Sequence, residues 1–374
     1  MKYRKFGRLD WHASALGFGA MRLPTVDGNP MSDNIVEDEA IAMIRHAIDE
    51  GVNYIDTAWP YHNGKSEVVV GKALQDGYRE KVKVATKSPI RAYKEAADFE
   101  RFLNEQLERL QTDHIDFYLL HGLGKRSWED VVLKFDVLKK AEAALQDGRI
   151  RHLGFSFHDN LAAFKEIVDG YDKWEFCQIQ YNYMDIENQA GTEGMKYAAD
   201  KGLAIVIMEP LLGGKLVTPP DDIVKLLKAA DPTRTPADWA LQWLWDQPEV
   251  SVILSGMSTM EQVQQNIASA EKSGINTFSE QDHQLIADVR ERYLAKTAIP
   301  CTGCAYCMPC PNNVEIPRNF KTYNEGFMFD DVNGARGTYH RFLTEETRAV
   351  ACISCRICEE KCPQGILISE WMPK

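Results

Sequence analysis

Two sets of residues in this 374-residue chain have the types and spacing for chemistry. The first is a pair of cysteine runs. Cys301, Cys304, Cys307 and Cys310 stand at every third position and close on Pro311; Cys352, Cys355 and Cys358 repeat that spacing, and Cys362, four positions on, closes on Pro363. Eight of the nine cysteines lie here, and the other is Cys177. Two C-x2-C-x2-C runs ending in C-P predict two 4Fe–4S clusters: close thiolate spacing lets one loop wrap three irons, and the last cysteine of each run reaches the other cluster. On that rule one cluster takes Cys301, Cys304, Cys307 and Cys362. The other takes Cys352, Cys355, Cys358 and Cys310. The first run spaces its last cysteine by two residues, where the bacterial pattern has three. Zinc is the alternative, although its four-cysteine sites more often pair two C-x2-C halves across a loop.

The second set is Asp56, Tyr61, Lys87 and His121. Asp56 ends the β-rich run "NYIDT", with Tyr61 five residues on; Lys87 ends "VKVATK" and His121 ends "IDFYLLH". A phenol is a poor acid near neutrality, with an unperturbed pKa of about 10. An ammonium beside it favours the phenolate, so Lys87 should lower Tyr61, and Asp56 should pair with Lys87 and hold it. His121 can donate a hydrogen bond to the same substrate oxygen. The product is a proton donor aimed at a carbonyl oxygen that becomes an alkoxide. Singly, each residue reads as a cap, a solvated charge or packing. At three successive strand ends, all four together read as a site.

Those strand ends imply the architecture. Short β-rich runs ("SALGFG", "NYIDT", "VKVATK", "IDFYLLH", "RHLGFSF", "CQIQYNY", "LAIVIMEP", "VSVILSGM") alternate with amphipathic stretches such as "DEAIAMIRHAIDEG". In that stretch Ile41, Ile44 and Ile48 share a helical face and Gly51 supplies a stop. Eight strand–helix repeats predict an α/β fold of the (β/α)8 TIM-barrel type, with chemistry at the carboxyl ends of the strands. An open doubly wound sheet is the alternative, but "GFGAMRLP" lacks the third glycine of its phosphate loop and runs into a proline. "YRKFG" and "HASAL" are expected to pair as a hairpin across the barrel floor. The cysteine asymmetry divides the chain into a barrel domain, 1–297, and a small, mostly helical, ferredoxin-like domain, 298–374. Helices are expected over "IPRNFKTYNEGFMFD" and "RFLTEETRAVA", and Cys177 is expected to be buried packing.

The motif "DTAWPYHNGKSEVVVGKAL", continued through "VATK" and "LLH", resembles the signature of the aldo-keto reductase family, and the likeness extends over residues 1 to about 295. The resemblance implies direct hydride transfer from a nicotinamide cofactor, usually NADPH, to a carbonyl carbon. It makes Tyr61 the general acid, tuned by Lys87 and Asp56, with His121 orienting the carbonyl. It also implies a cofactor site. Ser156 and Gln178 would bond the carboxamide, and Tyr181 would stack under the ring. Leu211, Gly213 and Lys215 of "EPLLGGKL" would hold the pyrophosphate. Gly256, Ser258, Gln262, Gln265 and Asn266 of "GMSTMEQVQQN" would hold the adenosine phosphate. Two departures stand out. Met208 and Glu209 replace the aromatic and serine that many relatives carry. Gly256 and Gln262 occupy positions where many relatives place Arg or Lys, which leaves the choice between NADPH and NADH open.

Charge and hydropathy exclude other classes. The net charge is −12 with a pI near 5.3 and no basic cluster, which argues against nucleic acid. The N-terminus has no apolar core of signal-peptide length, and "LAIVIM" is too short to span a bilayer, so a cytoplasmic protein off the membrane is expected. In a reducing compartment clustered cysteines read as metal ligands.

A hydride carries two electrons and an iron–sulfur cluster takes one, so the two halves cannot easily exchange electrons without a splitter such as a flavin. No flavin fingerprint is present. Three readings follow. One is a carbonyl reductase with a structural or docking tail. The second is an electron-transfer protein serving a ferredoxin or flavodoxin partner. The third is a non-catalytic redox sensor.

Overall fold

The computed structural model describes residues 1–29 and 32–374. The insert "LPTVDGNPMSDN", expected to cover part of the site, contains Pro30 and Met31, which lie outside the described residues. By compactness the chain divides into two units: Met1–Val217 with Thr235–Phe278, and Thr218–Arg234 with Ser279–Lys374.

In the first unit β1 (Tyr3–Lys5) pairs antiparallel with β2 (His12–Ser14), the hairpin anticipated from the sequence. Eight further strands follow: β3 (Leu16–Gly19), β4 (Tyr54–Asp56), β5 (Lys83–Ser88), β6 (Ile115–Leu123), β7 (Ile150–Phe157), β8 (Phe176–Gln180), β9 (Ala204–Met208) and β10 (Val250–Gly256). They close into a barrel in the order β10-β3-β4-β5-β6-β7-β8-β9, every pair parallel. Parallel pairing follows from the helices between the strands, which return the chain to the same end each time. Alternation sorts the side chains. Tyr54, Ala85, Phe117, Phe176, Ala204 and Val252 fill the interior, while Ile55, Val84, Tyr118, Cys177 and Ile205 pack outward on the helices. The floor is closed by Phe6, fully buried, with ring centroids 4.7 Å from Phe117 and 5.8 Å from Phe176. Cys177 is buried packing, as expected.

A second device acts at the other end. The buried His62 ring accepts a hydrogen bond from the Leu23 backbone N–H at 3.2 Å, and its other nitrogen meets the Ser32 carbonyl at 2.5 Å. The imidazole thus bridges two backbone groups, accepting on one side and donating on the other. The insert after β3 is thereby tied to the residue that follows Tyr61.

The second unit has a core of its own around Ile299, Val314, Ile316, Phe320, Cys358, Ile366, Ile368 and Met372. Helix Ile316–Met328 forms as expected. The second helix differs from expectation, running over Val332–Phe342 rather than through "RFLTEETRAVA". Asp331 caps its start by accepting from Gly334 N–H, and Leu343 turns extended at its end. Thr344 and Thr347 then bond to each other and to local backbone, the competition with helix that short hydroxyl side chains provide. Asn319 accepts from Ala349 N–H and donates to the Thr347 carbonyl, which fixes the approach to the second cysteine run. No helix among the described residues is long and apolar enough to cross a membrane.

Candidate active site

Three successive strands supply the acid site. Asp56 is the last residue of β4, Lys87 lies on β5 and His121 on β6. Register explains their meeting. Asp56 pairs with Ala85, so Lys87, two residues on, projects into the barrel on the same face one layer higher. Its ammonium donates to Asp56 Oδ1 at 2.6 Å and to the Thr57 carbonyl at 2.7 Å. Tyr61 opens a short 3-10 turn, Tyr61–Gly64, in which His62 and Asn63 have positive φ. That fold-back sets the Tyr61 ring 4.7 Å from the Lys87 ammonium and edge-on to His121, with ring centroids 6.1 Å apart.

The electrostatics differ from the sequence expectation in one respect. Burial raises Tyr61, and the opposing pull of Lys87 does not overcome it, so the phenol stands above its ordinary value and keeps its proton. Burial alone would lower Lys87, but Asp56 and Tyr61 outweigh it and the ammonium is retained. His121 falls well below the usual imidazole range, chiefly through burial, with Lys87, His158 and Arg91 adding to it. The site therefore presents a neutral phenol and a neutral imidazole around a fixed ammonium.

A buried network that sequence reading missed holds Lys87 from behind. Gln106 donates to the Lys87 carbonyl at 3.1 Å and to Glu67 Oε1 at 2.7 Å, and accepts from Tyr118 Oη at 2.9 Å. Thr86 Oγ1 donates to the same Glu67 oxygen at 2.6 Å, and Arg109 approaches Glu67 Oε2 at 3.3 Å. Glu67 lies in the recognised motif, but its burial was not legible there.

The expected cofactor residues divide. Gln178 points into the barrel from β8; its residue is 2% exposed, yet Oε1 has no partner. A buried carbonyl oxygen without a donor is costly unless something supplies one, and a carboxamide N–H fits that need. Ser156 on β7 accepts from Gly122 N–H at 2.8 Å and keeps its own hydroxyl proton to donate. Tyr181 is not brought to the rim. It is three residues beyond Gln178, hence on the opposite face, with its hydroxyl on Thr192 Oγ1 and its ring 5.4 Å from Trp243. Gly213 and Gly214 carry positive φ in the turn Leu212–Gly214, between Leu211 and Lys215. Ser258 donates to the Arg22 carbonyl, and its N–H donates to Gln262 Oε1. Gln265 bonds Glu261 on the exposed side of helix Met260–Ala270, and Asn266 is buried against Ser255 Oγ. Arg22 was missed altogether. Its side chain lies 3.3 Å from where a Cβ on Gly256 would be, and its Nη2 lies 3.6 Å from the same point on Gly213. It thus spans the two loops, bringing a cation to the Gly256–Gln262 segment that has none of its own, with Glu209 Oε2 also 3.6 Å from the Gly213 point.

In the second unit all eight tail cysteines are free thiols. Cys301, Cys304, Cys307 and Cys362 line one cavity, walled by Ile316, Phe320, Ile366 and Ile368. Cys362 bears on both Cys301 and Cys307, while Cys310 and Cys352 bear on Cys358. Among the described residues no three metal-ligating side chains converge on a point that a single ion would fill. The thiols ring a space instead.

A closed parallel barrel with protonatable groups at its carboxyl rim and a cysteine-rich unit behind it in sequence defines an oxidoreductase. Residues 15–291 match the aldo/keto reductase family and residues 300–367 match the 4Fe-4S dicluster domain. The chain belongs to the aldo/keto reductase family and carries a 4Fe-4S dicluster domain at its C-terminal end. It is 29% identical to L-galactose dehydrogenase of Arabidopsis thaliana over 291 residues, covering 72% of this chain and 88% of that one. It is 27% identical to the NADH-specific methylglyoxal reductase of Escherichia coli over 341 residues, covering 78% and 99%. An aldo-keto reductase from Klebsiella pneumoniae, solved in complex with NADPH, superimposes with a TM-score of 0.62 at 26% identity, covering 77% of this chain and 95% of that one.

The depressed His121 has a consequence for stability. Its folded-state pKa lies below the unfolded value of about 6.5, so its contribution is present above that pH and is lost as pH falls below it. Thermal melts of His121→Asn should show a shallower loss of Tm than wild type between about pH 6.5 and 5. Parallel slopes would contradict a buried neutral imidazole.

Proposed function

We propose that the chain is an NADPH-dependent carbonyl reductase acting at the barrel rim, with Tyr61 as general acid and a tail of two 4Fe–4S clusters. The observation that carries this reading is the convergence of Tyr61 and His121 over the buried Lys87–Asp56 pair. A bound reduced nicotinamide supplies the hydride. The chain's residues do the rest. His121 donates to the substrate carbonyl oxygen and sets it against Tyr61 Oη. Tyr61 gives its proton to that oxygen as negative charge develops there. Lys87 stabilises the phenolate left behind, and Asp56 keeps Lys87 in place. Gln178 and Ser156 receive the carboxamide. Leu211, Gly213 and Lys215 face the pyrophosphate, while Gly256, Ser258, Gln262, Gln265 and Asn266 form the adenosine end. Arg22, between these two segments, favours the more anionic NADPH; NADH is the alternative. Tyr181 braces β8 from outside instead of stacking.

The boundary at 297/298 is kept as the functional division, because the two family matches end at 291 and begin at 300. The cavity ringed by Cys301, Cys304, Cys307 and Cys362 supports the crosswise ligand sets. Cytoplasmic location is part of the same reading, since free clustered thiols suit a reducing compartment.

Tyr61→Phe tests the chemistry. Carbonyl reduction should fall by about a hundredfold or more, with NADPH affinity, read by fluorescence, unchanged. Undiminished turnover would remove Tyr61 from its role. Cys362→Ser tests the ligand sets: iron and sulfide content of the anaerobically purified protein should drop to about half, because the second ligand set stays complete. Full content would refute the crosswise assignment.

A second reading is favoured by the dicluster match and by the exposed Cys304 and Cys355. In it the barrel feeds the clusters, which pass single electrons to a ferredoxin or flavodoxin, and a flavin splits the pair. An anaerobic visible spectrum before and after adding NADPH separates the two. Unchanged cluster absorbance supports the reductase; bleaching selects electron transfer.

A further inference from the structure

The rim on the substrate side carries a cation that the chemistry above does not use. Arg91 lies in the 3-10 turn Ile90–Ala92 that follows β5. The turn is firmly built. Ile90 is fully buried, and Tyr93 is 7% exposed, with its hydroxyl 2.6 Å from Ser88 Oγ and its ring stacked on Phe102. Arg91 is therefore presented by a rigid element.

Its guanidinium reaches toward His121. A Cβ built on Gly122, the next residue, would lie 3.7 Å from Arg91 Nη2 and 3.8 Å from Nε, with His158 Cδ2 at 3.8 Å on the same point. Gly122 has φ +64 and no side chain, so the space beside His121 is bounded by Arg91 and His158 and stays open. Arg91 makes no ion pair among the described residues. Neighbouring carboxylates are engaged elsewhere. Asp98 accepts from Lys94 and Glu95 N–H and pairs with Arg101. Asp159 accepts from Lys125 and Asn160 N–H, and Asp56 is held by Lys87. Both imidazoles are depressed by burial first, with Arg91 adding to it, so neither competes with it as a second cation. One unmatched positive charge, on an exposed side chain carried by a well-packed turn, thus stands beside the oxygen-binding histidine. Glu209 follows β9, the strand across the barrel from β5, and stands close enough to Tyr61 to add to the rise of its phenol.

We propose that the carbonyl substrate carries a carboxylate, which Arg91 receives over Gly122 while His121 holds the carbonyl oxygen. The inference rests on the reductase reading of the same site. A guanidinium offers two parallel N–H donors that match a carboxylate. A single cation with neutral neighbours suits a monoanion better than a phosphate dianion. Short oxo acids with an aldehyde at one end and a carboxylate at the other are the expected class.

The test uses the full-length, cluster-loaded protein with NADPH and two paired probes, succinic semialdehyde and glutaric semialdehyde, each beside its methyl ester. Wild type should prefer at least one acid over its ester. Arg91→Met should raise KM for that acid by about ten- to a hundredfold, the worth of a charge-assisted hydrogen bond. It should leave kcat, and all constants for the ester, nearly unchanged. Arg91→Lys should recover part of the loss. Equal use of acids and esters, or an equal loss on both with Arg91→Met, overturns the carboxylate assignment and leaves the reductase reading standing. Reduction of neither, with wild type no faster than Tyr61→Phe, overturns the reductase reading itself.

Discussion

The rim is organised around an ammonium that has been taken out of water. Lys87 is 1% exposed and Asp56 4% exposed. Burying such charges singly costs several kcal/mol each, and only close pairing with further hydrogen bonds offsets it. The chain meets that demand through strand register, which stacks Lys87 one layer above Asp56, and through the Thr57 carbonyl. The backbone of β5 is fixed in turn by Gln106, itself locked to Glu67, Thr86 and Tyr118. Moving any of these groups would leave a buried charge or carbonyl without its partner. Adjacency of β4 and β5 in the barrel places the two partners together, and the fold-back at Tyr61–Gly64 brings the phenol onto the pair.

That pair also decides which groups hold protons. With Lys87 charged and Asp56 beside it, little net field remains to ionise Tyr61, and burial keeps the phenol neutral. A protonated phenol next to a fixed cation is a good arrangement for an acid, because the cation interacts more strongly with the phenolate that proton transfer creates than with the phenol before it. His121 stays neutral first because it is buried, and Lys87, His158 and Arg91 further oppose a positive charge on it. The site thus carries its charge in the Lys87–Asp56 pair, where burial raises the Asp56 carboxyl against the pull of Lys87, and its reactive hydrogens in groups that are uncharged.

Much of this was legible in the sequence. Strand ends show because apolar runs stop there and polar residues follow, which exposed Asp56, Lys87 and His121 directly. The cysteine runs were legible because cluster ligands are constrained to short local spacing. What failed did so for identifiable reasons. The resemblance makes Tyr181 a cofactor residue, yet it lies an odd number of residues from Gln178, and alternation puts the two on opposite faces. Arg22 stands more than two hundred residues before Gly256, and barrel closure between β10 and β3 brings them together, which no local pattern encodes. Gln106 reads as one polar residue on an amphipathic helix until the fold shows it buried. The helix expected over "RFLTEETRAVA" failed on side-chain competition by Thr344 and Thr347, a local effect that an apolar pattern does not register.

The two units raise a problem of electron counting that neither resolves alone. Direct hydride transfer moves an electron pair and leaves no odd-electron species, so a reductase rim has no use for a one-electron carrier. A dicluster module accepts single electrons and has no use for hydride. If both are redox-active in one turnover, a group able to exchange one or two electrons must mediate. The arrangement at Tyr61 bears on which prevails: a proton donor poised on a carbonyl oxygen serves hydride chemistry at carbon, whereas stepwise electron transfer would gain nothing from a phenol held against Lys87 and His121. On the reductase reading the barrel handles the electron pair, and the cluster unit serves structure, docking or sensing.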